Sequence, residues 1–402
     1  MRRVAITGVG VVSALGLSRA AHFEGLREGR CGIGALTITD VDRLGVRIGA
    51  ALPDYAQETH FSRAELALLD RTTQLALLAA REAAEDAGLA VAEAEAGRAG
   101  VVLGTALNGM ETIDQNYRAV FAEGRNRVHP LVVPRLMTNA GASHISMRYG
   151  LKGPAYTVTT ACSSSNHAIG QAFHMIRSGV ADVMVTGGAE APLVFGVMKA
   201  WEGLRVMSVD GCRPFCATRN GMVQGEGAAI FVLEEFERAS RRGARIWGEI
   251  VGFGMTADAG DIVQPSRDGA ARAMRAALAD AGMSPEAVGY INAHGTATTA
   301  NDRTEVAAIR DVFGAAADDL SVSSTKSMHG HCIGGAGAVE LTAVLLALTE
   351  GVIAPTVGHA ETDPDCNLDI TPNVARQRRV RAALSNSFAF GGLNAVLTLR
   401  AA

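Results

Sequence analysis

Short β-branched runs alternate with helix-patterned stretches along the whole 402-residue chain, and this alternation restricts the fold more than any single residue does. Strand-like runs stand at 4–6, 100–103, 156–161, 181–186, 228–234, 245–254, 288–293, 321–324, 381–385 and 395–399. Helix patterns cover 63–87, 168–176, 268–281, 304–313 and 337–349. Apolar runs of this kind are buried on both faces, so the expectation is an α/β fold with covered sheets. The layout also repeats. Strand 157–161, Cys162 and the following helix echo strand 320–324, the loop 326–337 and the helix after it. Two similar halves, residues 1–250 and 251–402, are therefore expected.

Composition narrows the function classes. The chain is 48% hydrophobic, enough for a large core, and carries a net charge of −4 with no long run of either sign. That balance points away from nucleic acid and anionic membrane. Six cysteines are too few for a disulfide scaffold of this length, so a reduced cytoplasmic compartment is expected. The basic start and apolar stretch 4–17 resemble a signal peptide, but Gly8, Gly10 and Gly16 interrupt it, and 4–6 reads better as a buried first strand. The apolar run 341–348 is bracketed by Glu340 and Glu350 and is too short to span a bilayer, so a soluble protein is expected.

The candidate chemistry sits in four places. In Tyr156-Thr-Val-Thr-Thr-Ala-Cys-Ser-Ser-Ser-Asn166, a strand runs into a helix start rich in capping residues, with Cys162 at the turn. Amides and the helix dipole there favour a thiolate, although a buried cysteine can equally be a plain core residue. His294 lies in Asn292-Ala-His-Gly-Thr-Ala-Thr298, and Lys326, His329 and His331 lie in Ser323-Ser-Thr-Lys-Ser-Met-His-Gly-His331. Asn386-Ser-Phe-Ala-Phe-Gly-Gly-Leu-Asn394 joins the last two strands as a loop. Loops at the carboxyl ends of strands line sites in α/β sheets, so the four can converge. A thiolate, two imidazoles and a buried cation together suit acyl transfer through an oxyanion or enolate.

These four blocks resemble, in order and spacing, the signatures of the elongating β-ketoacyl-acyl carrier protein synthases. The opening Arg3-Val-Ala-Ile-Thr-Gly-Val-Gly-Val-Val-Ser13 and the tract from Arg213-Pro-Phe to Gly225-Glu-Gly227 resemble that family too, so the likeness covers nearly the whole chain. The resemblance implies the thiolase-like fold, an α-β-α-β-α layered sandwich of two similar halves, and a dimer. It implies that Cys162 accepts the acyl group, while His294 and His331 assist decarboxylation of a malonyl thioester and stabilise the enolate. Lys326 would balance charge with Glu305 and Glu340 nearby; Glu305 can also be read as a solvated helix residue. Thr296 and Thr298 would bind a 4′-phosphopantetheine arm. The main-chain N–H groups of Cys162 and Phe390 would form the oxyanion hole, with the Phe390 ring as gate. No metal and no covalently bound cofactor are expected, since substrates arrive on the arm of an acyl carrier protein.

The chain departs from the family pattern at several points. Cys216 and Asn220 stand where aspartates are usual, Met222 where phenylalanine is, Ala389 where glycine is, Leu393 where threonine is, and His329 where threonine is common. Ala389 would stiffen a flexible gate. With the catalytic set intact, these changes point to a specialised ketosynthase of the type II polyketide, polyene or nodulation kind. Housekeeping fatty-acid synthesis is the alternative. The partner would be a paralogous chain-length-factor subunit or a second copy, with 108–127 and 134–142 as the boundary and Met137 as a pocket wall or a core residue. Two further readings weigh less. A non-catalytic partner subunit would lack the cysteine, and a thiolase would need a second late cysteine, for which only Cys366 is available. Cys212, Cys216, His329 and His331 do not stand at zinc spacing, and the glycines at 330–337 lack a P-loop lysine.

Overall fold

The computed structural model describes residues 1–402. Ten strands form one mixed sheet: β1 (Val4–Ser13), β2 (Ala99–Gly104), β3 (Ala155–Val158), β4 (Val183–Glu190), β5 (Gly227–Glu235), β6 (Gly248–Ala257), β7 (Tyr290–Asn292), β8 (Ser321–Ser323), β9 (Ala382–Ala389) and β10 (Leu393–Arg400). Their order is β8-β7-β9-β10-β6-β1-β5-β4-β2-β3. Read outward from the centre, one side runs 1-5-4-2-3 and the other 6-10-9-7-8, so every strand of the first half has its counterpart five strands later. Pairing directions match as well. The inner pairs β1–β5, β5–β4, β6–β10 and β10–β9 are antiparallel, and the outer pairs are parallel. The halves meet where Val4, Ala5 and Ile6 pair with Ile250, Glu249 and Gly248.

Five long helices fill the layers: α1 (Arg71–Ala87), α2 (Ser164–Arg177), α3 (Arg267–Ala281), α4 (Thr299–Phe313) and α5 (Ala336–Glu350). Helix α1 covers β1 and β5 from outside, and α3, with α4 packed on it, covers β6 and β10. Helices α2 and α5 touch strands of both halves and form the middle layer. The result is the α-β-α-β-α sandwich. Helix α5 is apolar on every side, and residues 336–348 are buried throughout, Glu340 included. Each fully buried Leu or Val is worth about 1.5–3 kcal/mol, so this helix is the centre of the largest core cluster. The stretch Ile333–Glu350 is long and apolar enough to cross a membrane, yet 89% of it is buried inside the protein.

Glycine explains how tightly the outer helices lie. A Cβ on Gly8 or Gly10 of β1 would stand 2.1 or 2.0 Å from the carbonyl oxygens of Ala83 and Ala79 on α1. Gly252 and Gly254 of β6 do the same for α3, with distances of 2.3 and 2.2 Å to Ala277 and Ala273. The glycines that interrupt the signal-like N-terminus are thus helix-docking sites, and β1 is buried from end to end.

Several sequence expectations change in the structure. The helix expected at 63–87 is two: Arg63–Leu66 carries its own Ser62–Glu65 capping box, and Asp70 caps α1 by accepting from Thr72 N. The strand expected at 156–161 stops at Val158 and is a half-buried edge strand, not a buried one. Strand β4 continues through Gly187 and Gly188 to Glu190, because the missing side chains admit Ala229 O and Ser165 Oγ. Helix α4 begins at Thr299, ahead of the expected 304, with Thr298 as its cap. The 386–394 block is a β-hairpin in which Ala389 pairs with Leu393 and the turn is made by Gly391 and Gly392 at φ +79° and +67°. Ala389 has no positive φ, so it does not strain this conformation. Met137 is not a core residue of the single chain, in which it is exposed. Residue 250 lies inside β6, which begins at Gly248.

Candidate active site

The turn between β3 and α2 is what positions Cys162. Ala161 is held at φ +50°, which swings the next residue out of strand direction toward the molecular centre. The serines after it tie the turn down rather than capping in the usual way: Ser163 Oγ donates to Thr160 O and Ser164 Oγ to Ala161 O. Cys162 is buried, and the nearby main-chain N–H groups of Cys162 itself and of Phe390 favour charge on its Sγ. Those donors and the Lys326 charge favour a thiolate, as expected. Burial outweighs them, with Glu340 adding to it, and the thiol is pushed up to about 12. Burial thus holds the sulfur toward the thiol, while the amides and Lys326 pull toward the thiolate in the expected direction.

The other blocks converge on this sulfur. His331 Nε2 stands 3.1 Å from Cys162 Sγ, while its Nδ1 has no hydrogen-bond partner. The His294 ring meets the His331 ring edge-on at 5.6 Å between centroids. Lys326 Nζ donates to His294 O at 2.5 Å, lies 3.4 Å from His294 Nδ1, and forms a close ion pair with Glu340. Glu305 is no solvated residue. Fully buried, it accepts from His294 N and Gly295 N at 2.8 Å each and from Asn386 Nδ2 at 3.2 Å. Burial, and then the Lys326 charge, hold both histidines well below their ordinary value, so both rings are neutral. Burial raises Glu340 to about 7 against the opposing pull of Lys326.

A cavity of about 130 Å³ opens from Cys162, His294 and His331 past Thr296, Thr298 and Phe390. Thr296 Oγ1 and Thr298 Oγ1 are 2.9 Å apart on one wall. The Phe390 ring is half-buried opposite them and stacks on Trp201, 5.8 Å between centroids. Neutral N–H donors, a thiol and two nearby amides in one cavity suit thioester chemistry, in which negative charge develops on oxygen.

The beta-ketoacyl synthase N-terminal domain matches residues 1–239 and the C-terminal domain matches residues 247–360. The chain belongs to the β-ketoacyl synthase family. It is a condensing acyltransferase. Similar proteins include nodulation protein E of Rhizobium sp. (strain N33), 50% identical over 99% of both chains. The 3-oxoacyl-[acyl-carrier-protein] synthase 2 of Staphylococcus aureus (strain COL) is 41% identical over 99% of this chain and 98% of its own. Among solved structures, the ishigamide ketosynthase/chain length factor superposes with a TM-score of 0.94 at 38% identity, covering 100% and 99% of the two chains. A β-ketoacyl synthase from Burkholderia phymatum STM815 gives 0.92 at 35% identity, covering 100% of each.

The synthase brings together every residue that the four blocks nominated, and adds some that sequence reading passed over. Val206, Asp258, Gln264, Asn301 and Phe388 also line the cavity. Met222, noted only as a departure, is a wall residue beside Cys162. Asp258 and Gln264 belong to the loop after β6, which is pinned to the Phe390 hairpin: Asn394 Nδ2 donates to Asp258 Oδ1 at 2.7 Å and Gly391 N to Ile262 O at 2.8 Å. No residue pattern in that loop marked it, because main-chain bonds supply much of the pinning. Cys366 packs into a separate core cluster with Phe313 and Ile370 and does not line the cavity.

Proposed function

We propose that the synthase extends an acyl chain held on Cys162 by decarboxylative condensation with a malonyl group carried on an acyl carrier protein. The observation carrying this reading is the 3.1 Å approach of His331 Nε2 to Cys162 Sγ inside a cavity shared with His294. In the first half-reaction Sγ attacks the incoming acyl thioester while its proton passes to His331 Nε2. The oxyanion takes the N–H groups of Cys162 and Phe390, and the departing carrier thiol recovers the proton. Each such donor is typically worth about 3 kcal/mol of barrier. In the second, His331, neutral again and with its proton exchanged through solvent from Nδ1 to Nε2, joins His294 in donating N–H to the malonyl carbonyl oxygen, and loss of CO₂ leaves an enolate on that oxygen. The enolate carbon attacks the acyl carbonyl on Cys162, and the sulfur leaves as a thiolate that takes a proton from solvent. Thr296 and Thr298 hold the phosphopantetheine arm, and the Phe390 ring gates entry.

The pathway is read as specialised acyl-chain synthesis on a dedicated carrier protein in the cytoplasm. Greater identity to nodulation protein E than to 3-oxoacyl-[acyl-carrier-protein] synthase 2 supports this, 50% against 41%. So does the replacement of a usual phenylalanine by Met222 at the cavity wall. The solved ketosynthase AntDE, 29% identical to the chain, is described in complex with its acyl carrier protein AntF. We read the functional unit as a dimer, of like chains or with a chain-length-factor paralogue. Tyr117, Phe121, Val133 and Met147 are exposed apolar side chains of the segment between β2 and the edge strand β3, and such a surface suits a protein partner. The halves are proposed to divide near residue 250, at the β1–β6 seam. Expressing the chain alone and with candidate partners, then measuring product length from acyl and malonyl carriers, tests the reading. Efficient synthesis of ordinary saturated long chains by the lone homodimer, indifferent to any partner, would establish the housekeeping alternative.

A further inference from the structure

His329 is fully buried two residues before His331, and its ring makes a bond from each nitrogen. Nδ1 lies 2.9 Å from Gly330 O, and Nε2 lies 3.0 Å from Thr325 Oγ1. A carbonyl oxygen can only accept, so Nδ1 carries the proton and Nε2 accepts from the threonine hydroxyl. The ring therefore ties together the two ends of the turn 325–330. Thr325 directly precedes Lys326, and Gly330 directly precedes His331. Thr325 Oγ1 in turn receives Asn292 Nδ2 at 3.4 Å, on the strand that delivers His294. At the other end Gly330 sits at φ +66°, and His331 N donates to Val223 O at 2.7 Å.

We infer that His329 is a positioning residue of this synthase, setting His331 against Cys162 through the Gly330 carbonyl and Lys326 against His294 through Thr325. A threonine at this position could not reach both partners, because its hydroxyl stands one bond from Cβ. The inference rests on the roles proposed above for His331 and Lys326. The charged and titratable groups around the ring are His22, at 6.2 Å between centroids, Lys326 and His331. His22 is itself tied to Ser13 and Thr342. Burial holds His329 near 3, so the ring is neutral and its two bonds persist across the working range.

Because the two nitrogens serve different neighbours, two substitutions separate them. In His329→Asn the amide nitrogen falls near the place of Nδ1 and keeps the Gly330 bond. In His329→Gln the longer amide reaches the place of Nε2, where its oxygen accepts from the Thr325 hydroxyl and keeps that bond. Each variant of the full-length chain is assayed for iodoacetamide alkylation of Cys162 against pH and for kcat and KM of condensation with malonyl carrier. His329→Gln should lower alkylation about tenfold at each pH, since a displaced His331 no longer takes the proton from Sγ. His329→Asn should keep the wild-type profile yet lose about tenfold or more in kcat, with KM little changed. His329→Ala should show both losses. If Asn and Gln variants both keep the wild-type profile and kcat within about twofold, whatever their melting temperatures, the inference is overturned. Failure of the wild-type chain to acylate Cys162 would instead overturn the proposed function.

Discussion

Lys326 Nζ donates to the main-chain carbonyl of His294 and stands within reach of the same residue's Nδ1. An ammonium has only protons to offer, so Nδ1 must accept, and the His294 ring proton is confined to Nε2. One lysine thus fixes both the place and the tautomer of the imidazole that faces the cavity. It also neutralises Glu340, which has no other partner in the centre of α5.

Lys326→Met should therefore have two separable effects. Condensation should fall by about 10²–10³, the usual effect of disordering one donor at a developing oxyanion. Unfolding free energy should fall by about 3–5 kcal/mol, because Glu340 is left buried and unpaired. Adding Glu340→Gln should recover most of the stability and none of the activity. Thermal melts and a condensation assay on both variants check this; a single variant that condenses within a few-fold of wild type contradicts it.

His294→Ala should cut condensation by about 10²-fold or more while leaving acylation of Cys162 within about tenfold, since His294 does not touch the sulfur. Equal loss in both half-reactions, measured with acyl carrier alone and then with malonyl carrier, would show a structural role instead.

Cys162 reactivity gives the pH test. The folded thiol is raised to about 12, above its ordinary value, so the protonated form dominates at neutral pH and the thiolate fraction grows as pH rises. Alkylation of the free protein should climb about tenfold per pH unit from 7 to 10 without levelling off. A plateau below pH 8 would mean that the amides, Lys326 and His331 outweigh burial after all.

Glu305→Gln replaces a carboxylate that takes three N–H bonds by a group with a single acceptor oxygen. One of the buried main-chain donors at His294 or Gly295 is then unpaired, at a cost of about 1–3 kcal/mol. The expected result is a lower melting temperature together with slower condensation and normal Cys162 acylation. Unchanged melting would place Glu305 outside the support of the His294 turn.

Which parts of this were legible in the sequence follows from how each is encoded. The two-half α/β layout could be read because buried strands leave uninterrupted apolar runs, and the site blocks because each combines a strand end with small residues and a functional side chain. Strand β3 could not be read as an edge, since Tyr156 and Val158 look the same in a central strand. The break before α1 was hidden because Asp70 caps through tertiary position, also accepting from Thr112. The burial that opposes a thiolate at Cys162 could not be read for a related reason. The amides that favour a thiolate are local and visible in sequence, whereas the burial that opposes them comes from distant α5 and the hairpin. The loop after β6 escaped notice because its ties to the Phe390 hairpin run largely through the main chain.

The central claim is that Cys162 carries the growing chain. Intact-protein mass spectrometry after a pulse of acyl carrier, on wild type and on Cys162→Ala, tests it most directly. The account predicts one acyl mass on wild type, mapped to the peptide containing Cys162, and none on a folded Cys162→Ala variant. An acyl mass on that variant, or on a second cysteine of the wild-type chain, would contradict it.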